Sequence, residues 1–188
     1  MVSLAQLWLP ILLSAVFVFV ASSLLNMVLR FWHGSDYHGV SNEDEVRATI
    51  RKNAPTPGMY MVPYCKPEDM KKSETQAKFK EGPVAFLFLR PSGDMNMAKP
   101  LIQWFLFCVL VSLFAAYVGG LALPAGASMA QVFRIVGAAA LMGHAFGSFP
   151  MGIWWGHPWN SAIKYAIDGV IYAVIVAGTF GWLWPKLA

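Results

Sequence analysis

Charge is scarce in this sequence. Only 13% of its 188 residues are Asp, Glu, Lys or Arg, whereas 57% are hydrophobic. In an ordinary soluble domain about a quarter of the residues are charged. The scarcity argues against a soluble domain and indicates that lipid surrounds much of the chain. The formal net charge of +4 is then a signal of membrane orientation, and we predict no nucleic-acid partner.

Cysteine and the common catalytic motifs are scarce as well. The only two cysteines, Cys65 and Cys108, cannot form a disulfide framework, and Cys108 lies in an apolar run where it is expected to pack as a small hydrophobic residue. The chain has no Walker, GxSxG, HExxH or GxGxxG motif. We therefore expect a protein that is not an enzyme.

The chain has instead four long apolar runs. Residues 7–29 carry no charge, and their length is what a helix needs to cross about 30 Å of hydrocarbon. A signal peptide would have a basic start and an apolar core of only about 7–15 residues, so we expect this run to stay in the mature protein. The other predicted transmembrane helices cover residues 101–123, 129–149 and 162–184.

The basic residues are unevenly distributed around these runs. Eleven of the fourteen lie between Arg30 and Lys99, and Lys164 lies on the same side if the helices alternate in direction. Lys and Arg near helix ends favour the cytoplasmic side of a membrane. We therefore predict a protein of the cell (inner) membrane, with the insert in the cytoplasm and both termini outside. The predicted parts are residues 1–30 (helix 1), 31–99 (insert) and 100–188 (three helices).

The insert is predicted to contain both helices and strands. Residues 41–53 begin with a serine three positions before Asp44, which is typical of a capping box and a short helix. SETQAKFKEGP (73–83) predicts a second helix ended by Gly and Pro. MYMV predicts a strand, and VAFLFL (84–89) one buried on both faces or covered by a partner. The predicted fold is an all-α integral membrane protein with a small α+β insert between helices 1 and 2.

Ionisable residues within the apolar runs are the main candidate site, because a charge at the membrane centre costs on the order of 2.5–3.5 kcal/mol. The candidates form an intramembrane polar cluster of His144, Lys164, Asp168 and Arg134. Lys164 can neutralise Asp168 four residues later, and His144 lies at a similar depth to Asp168, so the two can hydrogen-bond if their helices are neighbours. The cluster is either a clamp between helices or a relay for protons or ions.

His144 also forms an AxxxH pair with Ala140 in an apolar run. The pair resembles the chlorin-ligating motif of bacterial light-harvesting polypeptides. The resemblance implies that His144 ligates the metal of a bacteriochlorophyll and that Ala140 leaves room for the ring. A haem at His144 is a related possibility, and a hydrogen-bonded structural histidine is the alternative. The sequence indicates no other cofactor.

Further polar residues lie at the predicted cytoplasmic ends of the runs. His33 and Asp36 follow the first run, and His157 lies in the connection between the third and fourth. Their spacing matches none of the established zinc patterns, so we predict solvated side chains and no metal site. The connection is rich in Trp and Pro, as expected at a membrane interface, and Asn160 or Ser161 is expected to cap the fourth helix.

Small residues recur four positions apart on three of the predicted helices. Such faces let helices pack closely in lipid, where no hydrophobic force brings them together. The predicted helix-packing residues are Ser112, Ala116, Gly120, Gly143, Gly147, Ala173, Ala177 and Gly181. Because four helices need fewer such faces than this, we expect other membrane protein subunits, as well as lipids, to be partners.

These observations favour a non-catalytic accessory or structural subunit of a larger bacterial membrane complex, for example an energy-transducing one. The subunit would make its contacts through the small-residue faces and the insert. Two alternatives stay open. One is a small oligomeric transporter or channel with a relay through His144, Asp168 and Lys164. The other is a tetrapyrrole-binding membrane subunit.

Overall fold

A computed structural model describes residues 1–187 and is mainly helical. The helices are α1 (Trp8–Ser23), α2 (Arg30–His33), α3 (Glu43–Asn53), α4 (Ser73–Glu81), α5 (Ala98–Ala122), α6 (Met129–His144), α7 (Ser148–Trp155) and α8 (Trp159–Leu183), and the strands are β1 (Gly58–Val62) and β2 (Ala85–Leu89). The chain forms two compact units. The helical unit contains Met1–Tyr37 and the residues from Asn96 onward, and the polar unit is His38–Met95.

Four segments of the helical unit are long and apolar enough to cross a membrane. They are Leu4–Val28, Ala98–Ala122, Met129–Trp155 and Trp159–Leu183. The four long apolar helices predicted from the sequence are therefore confirmed, and so is a small sheet. The first segment adds a 3₁₀ turn before α1 and a π-helical turn after it.

The third segment differs from its prediction. We expected one helix over residues 129–149 and then a connection, but α6 ends at His144 and a second helix, α7, runs to Trp155. Pro150 is tolerated in α7 because it is the third residue of the helix, where the backbone N–H has no partner within the helix.

The start of the fourth segment also differs. Neither Asn160 nor Ser161 caps α8, because the helix begins earlier, at Trp159, directly after Pro158. The predicted cap is therefore wrong. Ser161 is instead buried within the first turn of α8, where its hydroxyl is a hydrogen-bond partner of Asp36.

The helical unit packs around small and β-branched side chains. Ala15, Ala116, Val132, Val136 and Val176 have no exposed surface. Between α1 and α5, the hydroxyl of Ser14 donates to that of Ser112 at 3.0 Å. The helices approach so closely that a Cβ on Gly169 of α8 would lie 2.4 Å from the Cα of Ala145. Only glycine fits at this crossing, since side chains essentially never come so close.

The structure places nearly all of the predicted helix-packing residues against other parts of this chain. Ser112, Ala116, Gly120, Ala173 and Ala177 are buried. A Cβ on Gly143 would approach Val111 to 2.8 Å, and one on Gly181 would approach Met129 to 3.0 Å. Only Gly147 would meet nothing within 4 Å. These small-residue faces pack against other helices of the same chain, so they give no reason to expect a partner.

The polar unit contains α3, α4 and an antiparallel pair of strands in which Met59 lies opposite Phe88. The predicted helices and strands are present, but α3 begins after Asn42 and has no side-chain cap, so the capping box is wrong. α4 ends at Glu81 and is followed by Gly82, whose φ of +70° suits glycine. β2 is not buried on both faces, because four of its residues are only partly buried and Phe88 is exposed. The alternative, cover by a partner, stays a prediction.

Candidate functional site

Asp168 is the most deeply buried ionisable residue of the site, with 2% of its surface exposed. It lies on α8, and both of its carboxylate oxygens are paired with side chains of α2. The indole Nε1 of Trp32 donates to Oδ1 at 2.8 Å, and Nε2 of His33 lies 2.8 Å from Oδ2. Two converging ring nitrogens thus replace the water that the carboxylate has lost.

His33 lies between two carboxylates. Its Nδ1 is 2.6 Å from Oδ2 of Asp36, and its ring stacks on Tyr165 with centroids 4.6 Å apart. His33 therefore bridges the carboxyl groups of Asp36 and Asp168.

Asp36 joins His33 to Lys164. The Nζ of Lys164 donates to Oδ1 of Asp36 at 2.7 Å and to Oγ of Ser35 at 3.1 Å. Burial alone would raise the pKa of Asp36, but hydrogen bonds from Lys164, His33 and Ser161 outweigh it and lower the pKa from 3.8 to about 2. Asp36 is therefore a carboxylate at neutral pH.

We call Asp168, His33, Asp36 and Lys164 the Asp168 network. It contains two carboxyl groups, one imidazole and one amine, joined by hydrogen bonds. Exposure is lowest at Asp168, at 2%, and highest at Lys164, at 20%. Buried charges are tolerated when each is paired and hydrogen-bonded, and removal of one member leaves another uncompensated. The network can therefore hold α2 against α8.

The network differs in membership from the cluster predicted by sequence. Lys164 bonds to Asp36, and Asp168 is held by His33 and Trp32. The prediction that His33 and Asp36 are solvated is wrong, because their side chains are only 8% and 5% exposed. The signal available in the sequence was their i, i+3 spacing directly after an apolar run, where two groups can point together.

Arg134 lies apart from the other predicted site residues. It is exposed in the second turn of α6, whereas His144 is the last residue of the same helix. Ten residues of helix separate them, which corresponds to about 15 Å. The structure therefore does not bring Arg134 together with His144.

His144 lies among aromatic rings. Tyr172, Phe107 and Trp104 have centroids 5.6, 5.8 and 6.4 Å from its own. Within residues 1–187 neither of its ring nitrogens has a hydrogen-bond partner, so the predicted bond to Asp168 is not formed. An unpaired buried polar group costs about 1–3 kcal/mol. Ala140 has no exposed surface, so the chain itself fills the space beside it that a tetrapyrrole ring would need.

A cavity of about 650 Å³ lies beside His144 and reaches Asp168. Its wall is formed by the end of the first apolar segment, the start of the second, the end of the third and the start of the fourth. The cavity is therefore at one end of the helical bundle. Trp104, Tyr172 and His157 belong to the same wall.

Over residues 1–187, no three His, Cys, Asp or Glu side chains are arranged to hold a metal ion. No known protein-family model, curated protein or solved structure matches the chain. The chemistry of the Asp168 network, the cavity and the polar unit is therefore the basis for a functional interpretation.

Proposed function

We propose that this chain is a multi-pass membrane protein that acts as a non-catalytic accessory subunit of a larger membrane complex. One observation carries the proposal: none of the residues His38–Met95 is buried, although they form a compact unit with two helices and a sheet. A two-stranded sheet is at best marginally stable unless something packs on it. A partner that covers the polar unit would supply the missing burial.

The surface of the sheet fits such a contact. Met59 and Phe88 lie opposite each other in the register, so they share one face. Met59 is 66% exposed. Methionine adapts its shape to a partner surface more readily than branched side chains do. We therefore propose this face of the sheet as the contact with another subunit.

The membrane location and orientation are part of the same proposal. The four apolar segments keep large outward-facing side chains, such as Trp182, Phe114 and Ile102, and these suit contact with lipid. The concentration of Lys and Arg between Arg30 and Lys99 supports a cytoplasmic polar unit with both termini outside. The bacterial inner membrane is the proposed location.

The proposal is tested by native electrophoresis after extraction in mild detergent. We expect the wild-type chain to migrate in a species much larger than a 20.7 kDa chain with its detergent. Met59→Glu places a charge on the exposed sheet face and should shift the chain to a smaller species. Met95→Glu is the matched control, because Met95 is 92% exposed and lies outside the sheet. Wild type migrating alone, or equal migration of both variants, contradicts the proposal.

A proton-conducting function is the second candidate, and the Asp168 network is the observation that favours it. Its members form a continuous hydrogen-bonded chain from a buried carboxylate to a partly exposed amine. Proton flux into liposomes that contain the purified chain is the test. If the wild-type chain conducts protons and Asp168→Asn abolishes the flux, proton conduction replaces the accessory-subunit proposal. If the flux equals that of empty liposomes, conduction is excluded.

The tetrapyrrole alternative has less support. Ala140 is completely buried, so the space beside it that the ring would need is filled. A visible absorption band in the purified protein that disappears in His144→Ala would restore this alternative.

A further inference from the structure

The cavity at the end of the helical bundle has the dimensions of a ligand site. Its volume of about 650 Å³ lies within the range of roughly 300–1,000 Å³ that is usual for small-molecule sites. All four apolar segments contribute to its wall. A ligand in this cavity would therefore touch every segment of the bundle.

The histidines that carry unpaired buried nitrogens both line this cavity. Across residues 1–187, the buried side-chain nitrogens and oxygens without a hydrogen-bond partner are Nδ1 and Nε2 of His144 and Nδ1 of His157. Both histidines belong to the cavity wall. Buried polar atoms are nearly always paired in native proteins. Three exceptions around one cavity indicate that the missing partner is a molecule bound there.

The chemistry of the wall restricts the head group of that molecule. A neutral imidazole offers one donor and one acceptor. Among the described lining residues there is no Lys or Arg, and Asp168 contributes a carboxylate. A phosphate or a fatty-acid carboxylate would meet no cation in the wall. A neutral carbonyl or hydroxyl oxygen is the suitable partner for these histidines.

The aromatic side chains of the wall favour a flat ring. Trp104 and Phe107 stack with centroids 5.5 Å apart and 25° between their planes, and Tyr172 meets Trp104 edge-on at 6.1 Å. Aromatic rings pack preferentially in such stacked and edge-on pairs. A planar ring with an apolar tail would find both kinds of contact here.

We infer that this cavity binds a lipid-soluble quinone or quinol, with its ring against Trp104 and Phe107 and its oxygens paired with His144 and His157. The surrounding groups cover both nitrogens of His144. Rotation of an imidazole about its Cβ–Cγ bond exchanges nitrogen and carbon edges with little change of shape, and such a rotation presents a nitrogen to the ligand. The inference is independent of the accessory-subunit proposal, which depends on the polar unit.

The test uses the full chain in phosphatidylcholine nanodiscs and tritiated decylubiquinone as the probe. Binding is measured by scintillation proximity, and excess unlabelled decylubiquinone defines the displaceable fraction, which separates the site from partition into lipid. We expect saturable, displaceable binding to the wild-type chain and none to nanodiscs without protein. Absence of displaceable binding overturns the inference.

Two variants locate the site. His144→Phe removes both nitrogens, and Gly147→Leu extends a side chain from the cavity wall at a position where a Cβ meets no atom within 4 Å. Each should weaken binding at least about tenfold, equivalent to about 1.4 kcal/mol. Gly178→Leu is the matched control, since a Cβ there also meets nothing within 4 Å and the residue is outside the cavity wall. It should bind like wild type.

The remaining outcomes are also decisive. Unchanged affinity in Gly147→Leu, which keeps both histidines, overturns the inference even if His144→Phe fails to fold. Displacement of the probe by phosphatidylglycerol at the same concentration as by decylubiquinone assigns the cavity to phospholipid and overturns the quinone class. Gly147→Leu should leave the size of the native complex unchanged. Loss of quinone binding and loss of the complex can therefore be distinguished.

Discussion

Nε2 of His33 lies 2.8 Å from Oδ2 of Asp168, although the two residues are 135 positions apart in the chain. This contact joins the helix that follows the first apolar segment to the fourth segment. It makes a buried carboxyl group, costly when alone, one end of a hydrogen-bonded network. The stability of the helical unit should therefore depend on each member of the network.

Replacement of Asp168 by Asn is expected to lower the free energy of unfolding by on the order of 3 kcal/mol, because it removes the buried carboxyl group that pairs with His33 and Trp32. Thermal and denaturant unfolding of the purified protein in detergent measures the change. Asp44→Asn is the control, since the side chain of Asp44 is almost fully exposed, and surface changes usually stay within about 0.5 kcal/mol. Equal stability of the two variants contradicts the structural role of the network.

The stability of the protein should fall in acid because of Asp36. Its pKa is lowered from 3.8 to about 2 by its hydrogen bonds, so the carboxyl binds a proton more weakly when folded than when unfolded. The stabilisation is complete above about pH 4 and is lost as the pH falls towards 2. Between about pH 4 and pH 2, the free energy of unfolding should fall more steeply with decreasing pH for wild type than for Asp36→Asn. Equal pH dependence of wild type and Asp36→Asn would show that the Asp36 carboxyl does not cause the loss of stability. Asp44→Asn is the control and should keep the pH dependence of wild type.

The orientation of the chain can be read from its own cysteines. Cys65 lies half-buried in the polar unit, whereas Cys108 is completely buried in α5. A membrane-impermeant maleimide should therefore label Cys65 only after the cells are permeabilised, and Cys65→Ser should abolish the signal. Labelling of intact cells would place the polar unit outside and contradict the proposed orientation.

The crossing of α8 and α6 should not tolerate any side chain at Gly169. A Cβ there would lie 2.4 Å from the Cα of Ala145 and 2.6 Å from the carbonyl oxygen of His144, both backbone atoms. We expect Gly169→Ala to destabilise the protein by about 1–3 kcal/mol through overpacking. Gly178→Ala, on the same helix with nothing within 4 Å, should be neutral or slightly stabilising because alanine favours helix. Similar unfolding of the two variants would mean that the helices do not cross closely at Gly169.

The apolar segments and Asp168 could be predicted from the sequence for physical reasons. A run of uncharged residues long enough to cross lipid determines a helix regardless of its neighbours, and a carboxylate inside such a run is rare enough to mark a site. Neither property requires knowledge of how the helices are arranged. The end of α6 at His144 was not predicted, because the residues of the turn between α6 and α7 are as apolar as the helices on either side.

The partners of Asp168 could not be predicted in the same way. Local spacing favoured Lys164, four residues away, because neighbours on one helix face are the only contacts that spacing reveals. The actual partner, His33, is brought in by the packing of the first segment against the fourth. Lys164 instead donates to Asp36 at 2.7 Å, so it does not pair with Asp168. The cavity was missed for the same reason, since its wall combines side chains from all four segments.

The contact between α2 and α8 also sets an order of events during synthesis. The ribosome makes His33 and Asp36 long before Asp168, so the two residues leave the exit tunnel without the carboxylate and amine that later neutralise them. If the four segments insert into a bilayer as proposed, the polar end of the first segment stays without these partners until the fourth has been made. A chain halted before Lys164 and Asp168 would leave Trp32, His33 and Asp36 without these partners.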